Sequence, residues 1–269
     1  MTSGLRGLVW RFQTGVFDLE LDAYFLGMLI LAGFFGGIVN TLAGGGSMLI
    51  LPALMLLGMP ADIANGTNRI GIFLQSAAAV KGFDAANKLD RAAVLPILLP
   101  TLLGAVIGAF LASVLPNIYL KPLLLGVMVV MALVMVLKSD AIADEDVQPR
   151  QLKSSPPAWA GLFVTGLYGG FVQAGVGFLL IAVLAGMLRY DLVRTNALKL
   201  VCTGALSLVA LVIFAVADQV LWIPGLILAV GTVAGAVVSV RFAVSVSQTT
   251  LKWFLFIMVT VSCAAAAVF

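Results

Sequence analysis

No charged residue occurs from Ala23 to Ala61, a run of 39 residues, and none from Ser154 to Leu188, a run of 35. A membrane-crossing helix needs about 20 apolar residues. Each run is therefore too long for one crossing and too apolar to face water. Both are interrupted by glycine, at Gly44-Gly45-Gly46 in the first and at Gly175 and Gly177 in the second. The rest of the chain agrees. Of 269 residues, 62% are hydrophobic and 10% charged, where a soluble domain carries about 25% charged residues. This is the composition of an integral membrane protein.

With charges and glycine breaks as boundaries, apolar segments are expected at 23–43, 47–57, 66–83, 92–115 and 118–137. A second set follows at 158–174, 178–188, 196–217, 220–240 and 251–269. The fold class is all-α: a polytopic integral membrane protein of roughly eight to ten hydrophobic helices, with short helices that are broken or re-entrant. Residues 1–22 form a short amphipathic lead-in, 23–137 a first repeat, 138–157 a polar cytoplasmic linker and 158–269 a second repeat. Pro52, Pro96, Pro100 and Pro224 are expected to kink helices.

The halves resemble each other in detail. Gly36-Gly37-Ile38-Val39-Asn40 reads against Gly169-Gly170-Phe171-Val172-Gln173, and Gly44-x-Gly46 against Gly175-x-Gly177. Thr67-Asn68 reads against Thr195-Asn196, the offset drifting from 133 to 128. An odd number of crossings per half makes the repeats inverted. The positive-inside rule fits an outside N-terminus, which leaves Arg6, Arg11 and Lys121 outside and places ten of the fifteen Lys and Arg residues in cytoplasmic loops.

Several chemistries are excluded. There is no histidine, so His-based nucleophile activation, metal ligation and proton relay are unavailable. Cys202 and Cys263 lie far apart in apolar stretches, which suggests neither a disulfide framework nor a metal site. The acids lie at segment ends or in loops, leaving no mid-span carboxylate relay or cation cage. No catalytic residue, metal ligand, cofactor or ATP-binding motif is identified. The net charge of +3 is scattered over loops and carries no nucleic-acid signal.

Irregular backbone at membrane depth is tolerated only beside protein or a wet cavity, and a helix starting there aims free N–H groups and its positive dipole end inward. Gly44, Gly45, Gly46 and Ser47 in one half, and Gly175 and Gly177 in the other, are candidates on this ground. Asn40 and Gln173 add amides near the breaks. Thr67, Asn68, Thr195 and Asn196 stand at helix starts further on. Close helix packing is the competing account of the glycines. Arg69 and Lys199 are intramembrane cations, which either snorkel from a helix start or serve a site. Gln75 and Thr203 either line a cavity or bond neighbouring helices. The set suits a small anionic substrate within a lipid bilayer, and the oligomeric state is left open.

The run Gly36 to Ile70 resembles the first repeat of the sulfite exporter TauE/SafE family, also called the toluene sulfonate uptake permease family. The matching features are Gly44-Gly45-Gly46, Pro52, Gly58 and Ala64-Asn65-Gly66-Thr67-Asn68. The second copy, Gly169 to Lys199, departs from the pattern at Val176, Ala182 and Arg194. The resemblance implies a multi-pass bacterial inner-membrane permease for small sulfur-containing or organic anions, such as sulfite or sulfonates, moved in either direction. The expectation is a secondary transporter working by alternating access, not an enzyme. An anion channel or a non-catalytic membrane assembly partner are the alternatives.

Overall fold

The computed structural model describes residues 10–14, 17–21, 23–42, 44–137 and 149–245. The expected tenth segment at 251–269, Cys263 and most of the polar linker lie outside them. Among the described residues the chain is helical except for one antiparallel hairpin in the lead-in. There β1 (Trp10–Thr14) pairs with β2 (Phe17–Leu21), Trp10 opposite Leu21 and Thr14 opposite Phe17. Phe12, Phe17, Leu19 and Leu21 alternate with polar residues, the period of a strand.

Nine α-helices follow. In the first half they are α1 (Ala23–Leu42), α2 (Ser47–Leu56), α3 (Ala61–Ala85), α4 (Arg91–Val114) and α5 (Asn117–Leu137). In the second they are α6 (Pro156–Phe171), α7 (Val176–Ile181), α8 (Leu192–Val216) and α9 (Trp222–Ser245). A short 3₁₀ turn at Leu152–Ser154 precedes α6, and α7 runs on as a π-helical turn over Ala182–Met187. Among the described residues, four helices contain spans long and apolar enough to cross a bilayer: Phe25–Leu42, Arg91–Val114, Leu192–Val216 and Trp222–Arg241. Their outer faces are apolar, as on α4, where Leu95, Leu99, Leu103 and Phe110 are exposed at helical spacing. In water that stripe would be an aggregation surface. In lipid it is the expected exterior.

Two helices start earlier than the sequence reading placed them. Helix α3 begins at Ala61 rather than 66, after Pro60. Helix α8 begins at Leu192 rather than 196, because Asp191 caps it: its Oδ1 accepts from the backbone N–H of Val193 at 3.0 Å and Arg194 at 2.9 Å. Asp90 caps α4 likewise through Ala92 and Ala93, at 3.1 and 3.3 Å. Charge marked these boundaries as polar, and capping makes the charged residue part of the helix. Asp191→Ala is expected to destabilise the protein by about 1 kcal/mol, read as a lowered Tm in detergent.

The halves interlock. Helix α1 packs on α9, α4 on α6, and α3 on α8 and α9, with α8 also against α4. The two main seams are built from glycine. Gly33 and Gly37 of α1 lie against the Leu228 and Thr232 carbonyls, while Gly231 and Gly235 of α9 lie against those of Ile30 and Phe34. Gly104 and Gly108 of α4 meet the Phe163 and Leu167 carbonyls, while Gly166 and Gly170 of α6 meet those of Thr101 and Ala105. Each of the four helices thus carries Gly-x-x-x-Gly, the spacing that lets backbones approach closely in membranes. A Cβ at any of the eight would fall within 2.5 Å of a neighbouring carbonyl oxygen.

Candidate functional site

Helices α1 and α6 both end at the glycine breaks, and the breaks touch. The Gly177 N–H donates to the Gly44 carbonyl at 3.2 Å, and a Cβ on Gly44 would lie 2.2 Å from the Gly177 Cα. Gly45 packs against the Phe178 ring, Gly46 against the Gly36 carbonyl and the Asn40 side chain, and Gly175 against Met48 and Met131. At these points the glycines provide close approach. The first-turn amides are occupied as well. Met48 donates to the Gly45 carbonyl and Leu49 and Ile50 to that of Gly46; Val176 donates to Gln173 and Phe178 to Gly175. These N–H groups, expected to be free at the helix starts, are closed into turns, and α7 has only six residues.

The polar side chains gather around the breaks in two clusters. In the first, the fully buried Arg69 of α3 reaches the end of α6. Its Nη1 donates to the Gly169 carbonyl at 2.7 Å and to Gln173 Oε1. Its Nη2 donates to the Gly170 carbonyl at 2.8 Å and Asn65 Oδ1 at 3.1 Å. Asn65 Nδ2 donates to the Phe171 carbonyl at 2.9 Å, and the guanidinium lies 5.4 Å from the centre of the Phe214 ring. The last carbonyls of a helix lack intrahelical partners and sit at its negative dipole end. Arg69 and Asn65 satisfy three of them on α6. The grip also holds Gln173 in the left-handed region, at φ 66°.

The second cluster mirrors the first. Lys199 of α8 is fully buried and donates to the Thr41 carbonyl near the end of α1, at 2.9 Å, and to Asn196 Oδ1 at 2.7 Å. Each broken helix is therefore capped at its C-terminal end by a cation from the other half. Neither cation has an acidic partner among the described residues. Snorkelling does not describe them, since both are buried.

Several buried donors have no hydrogen-bond partner among the described residues: Asn40 Nδ2, Arg69 Nε, Gln173 Nε2 and Asn196 Nδ2. The Gln173 and Asn196 amides are oriented by the cations that their oxygens accept from, so the free atom is the N–H₂ in both. Asn68 Nδ2 donates to Ser47 Oγ at 2.9 Å and ties α3 to the start of α2. Thr67 and Thr195 face other tasks. Thr67 Oγ1 accepts from the Leu221 N–H at 3.0 Å, and Thr195 Oγ1 donates to the Tyr190 carbonyl at 3.2 Å. Both lie inside helices whose starts are further back.

Some of the constellation escaped the sequence reading. Asn65 bridges Arg69 to α6, and Thr41 contributes a backbone oxygen that no side-chain pattern signals. Gln75 Oε1 and Nε2 and Ser76 Oγ on α3, and Ser207 Oγ on α8, are buried without hydrogen-bond partners among the described residues, Ser76 beside Gly204 of α8. Thr203 Oγ1 bonds back to the Lys199 carbonyl at 2.7 Å, so of the pair Gln75 and Thr203 only Gln75 is left open.

The chain as a whole is similar to known proteins. A family model described as sulfite exporter TauE/SafE matches residues 29–266. A probable membrane transporter protein of Haemophilus influenzae is 25% identical over 244 residues, covering 90% of this chain and 93% of that protein. A probable membrane transporter protein, ORF9, of a Sinorhizobium species is 27% identical over 241 residues, covering 89% and 91%. The probable membrane transporter protein YfcA of Escherichia coli K12 is 24% identical over 228 residues, covering 84% of each chain. The apolar helical fold and a match spanning nearly all of it lead to one conclusion: this chain is a membrane transporter and belongs to the sulfite exporter TauE/SafE family.

Proposed function

We propose that the protein is a secondary transporter of small sulfur-containing or organic anions, such as sulfite or sulfonates, and lies in the bacterial inner membrane as a multi-pass protein. The observation that carries this reading is the pair of buried cations at the helix breaks, Arg69 and Lys199, held by neutral oxygens with no carboxylate partner among the described residues. Burying a cation is costly, and negative dipole ends offset only part of the charge. An entering oxyanion supplies the rest. It also meets the free N–H groups of Asn40, Gln173 and Asn196, and hydrogen bonds between charged and polar groups are worth about 1.5–3 kcal/mol.

The site comprises Asn40, Ser47, Asn68, Arg69, Gln173, Asn196 and Lys199. Gly44, Gly45, Gly46, Gly175 and Gly177 let the breaks converge, and Thr67 and Thr195 brace the helices that carry the cations. Gln75, Ser76 and Ser207 extend the polar route between α3 and α8.

Alternating access by two inverted repeats is supported by the exchange of partners across the halves. Pairing α1 with α6, α3 with α8 and α4 with α9 maps the α1–α9 contact onto α6–α4 and the α3–α9 contact onto α8–α4. The glycine seams keep the same register: Gly33 and Gly37 match Gly166 and Gly170 at an offset of 133, and Gly104 and Gly108 match Gly231 and Gly235 at 127. Rocking one half about these seams would expose the site to either side.

The test is sulfite uptake by proteoliposomes containing the full chain. Sulfite loaded inside is expected to accelerate uptake, the sign of a carrier rather than a channel. Asn196→Leu, which removes a free donor and an acceptor for Lys199, is expected to lower the rate at least tenfold. Uptake of sulfite and sulfonates no faster than in empty liposomes, or unchanged by Asn196→Leu, would sink the reading.

A further inference from the structure

A second site lies away from the breaks, where the linker meets the starts of α4 and α8. A cavity of about 420 Å³ opens there. Its cations are Arg150, Lys153 and Arg194, drawn from the linker and from α8. The linker is pinned beside it by a 2.8 Å bond from the Arg150 N–H to the Leu188 carbonyl.

Among the described residues the lining of this cavity carries more positive than negative charge. Arg150 and Lys153 are exposed and have no carboxylate partner among the described residues. Arg194 lies 3.5 Å from Asp191, an exposed pair of little strength. Asp90 is the single carboxylate on the wall, and both its oxygens are engaged: Oδ1 by the amides that begin α4, Oδ2 by the Tyr190 hydroxyl at 3.2 Å. Burial, and then the Asp90 charge, hold the Tyr190 phenol above its ordinary range, so it stays a donor to Asp90.

The lining also has an apolar part, with Pro96, Ile97 and Leu188. Leu95 and Leu99, on the same first turns of α4 as Pro96 and Ile97, are exposed, as is Trp159 of α6, which stacks on Phe163. Exposed Trp is typical of the headgroup level of a bilayer. A basic recess between helices at that level, with an apolar flank leading into the hydrocarbon, matches the two ends of a phospholipid.

We infer that this cavity binds the phosphate headgroup of an anionic glycerophospholipid, with Arg150 and Lys153 on the phosphate and the acyl chains along Leu95 and Leu99. The lipid would join the first half, the linker and the second half at one point. This site is independent of the substrate reading above.

Native mass spectrometry of the purified full chain with dioleoylphosphatidylglycerol tests it. Wild type is expected to retain one lipid per chain under activation that strips the others. Arg150→Gln with Lys153→Gln is expected to lower that occupancy at least fivefold. Lys81→Gln with Lys88→Gln, two exposed cations outside the cavity, is expected to leave it unchanged. Equal occupancy in wild type and the Arg150/Lys153 variant overturns the proposal, as does an equal loss in both variants, which would report surface charge alone. A third arm adds glycerol phosphate and inorganic phosphate. If either raises Tm as much as the lipid does, the ligand is a free phosphate and the lipid assignment is overturned.

Discussion

Gly44→Ala is expected to prevent the protein from reaching a stable fold, or to abolish the sulfite uptake proposed above. Three costs add at this position. Gly44 has φ +86°, where an L-residue costs roughly 1–2 kcal/mol. Its new Cβ would sit 2.2 Å from the Gly177 Cα, and backbone cannot rotate aside as a side chain can, so overpacking adds about 1–3 kcal/mol. Separating the breaks also breaks the Gly177-to-Gly44 hydrogen bond, worth about 1 kcal/mol. The total of roughly 3–6 kcal/mol is a large part of a typical stability. Two other glycines separate these causes. Gly58 has φ +91° but open space around it, so Gly58→Ala is expected to cost only the backbone strain. Gly126 lies in α5 with nothing within 4 Å, and Gly126→Ala is expected to be neutral or stabilising by up to about 1 kcal/mol. Thermal unfolding in detergent ranks the three. A Gly44→Ala variant as stable as Gly126→Ala would show that the breaks do not meet as described.

Arg69→Lys is expected to be the most damaging of the charge-conserving substitutions. It keeps a cationic side chain in the same buried place, but changes the geometry of its donors and buries a more strongly hydrated ammonium. Arg69 serves four acceptors with its fork: the Gly169 and Gly170 carbonyls, Gln173 and Asn65. A lysine ammonium is a point donor on a shorter reach. Losing two of the four charge-assisted bonds costs about 3–6 kcal/mol, which lowers Tm by roughly 6 °C or more. Because the freed Gln173 sits at φ 66°, the second break is expected to loosen with it, and uptake should fall alongside stability. A Tm within about 2 °C of wild type would mean that the Arg69 cluster is not what caps α6.

The two variants probe one device from opposite ends. Gly44 lets the broken helices meet, and Arg69, like Lys199 across the bundle, fastens the carbonyl end of one half's broken helix to the other half. That gives the cations a double duty, since they cap helix ends and also bring uncompensated positive charge to the breaks.

Hydropathy alone was enough to read the membrane class, the two interrupted runs and the position of the breaks, because lipid imposes a length and a polarity on each helix irrespective of its neighbours. The matched glycines, Asn40 with Gln173, and the two cations were legible as a constellation for the same reason: polar residues are rare in such segments and stand out. The Gly-x-x-x-Gly pairs on α1, α4, α6 and α9 were present as a signal but were passed over. Glycine reports close approach without naming the partner, so only the packed structure joined α1 to α9 and α4 to α6.

What tertiary structure alone decided is where the polar groups are directed. From sequence, Arg69 and Lys199 were cations that either snorkel or serve a site, and the breaks were sources of free N–H groups. In the fold the N–H groups close into turns, and the cations reach 100 and 158 residues along the chain to backbone oxygens of the opposite half. A carbonyl oxygen is common to every residue, so no side-chain pattern marks which one will be left unpaired at a helix end. That choice is made only when two halves pack and one of them must satisfy the other's broken backbone.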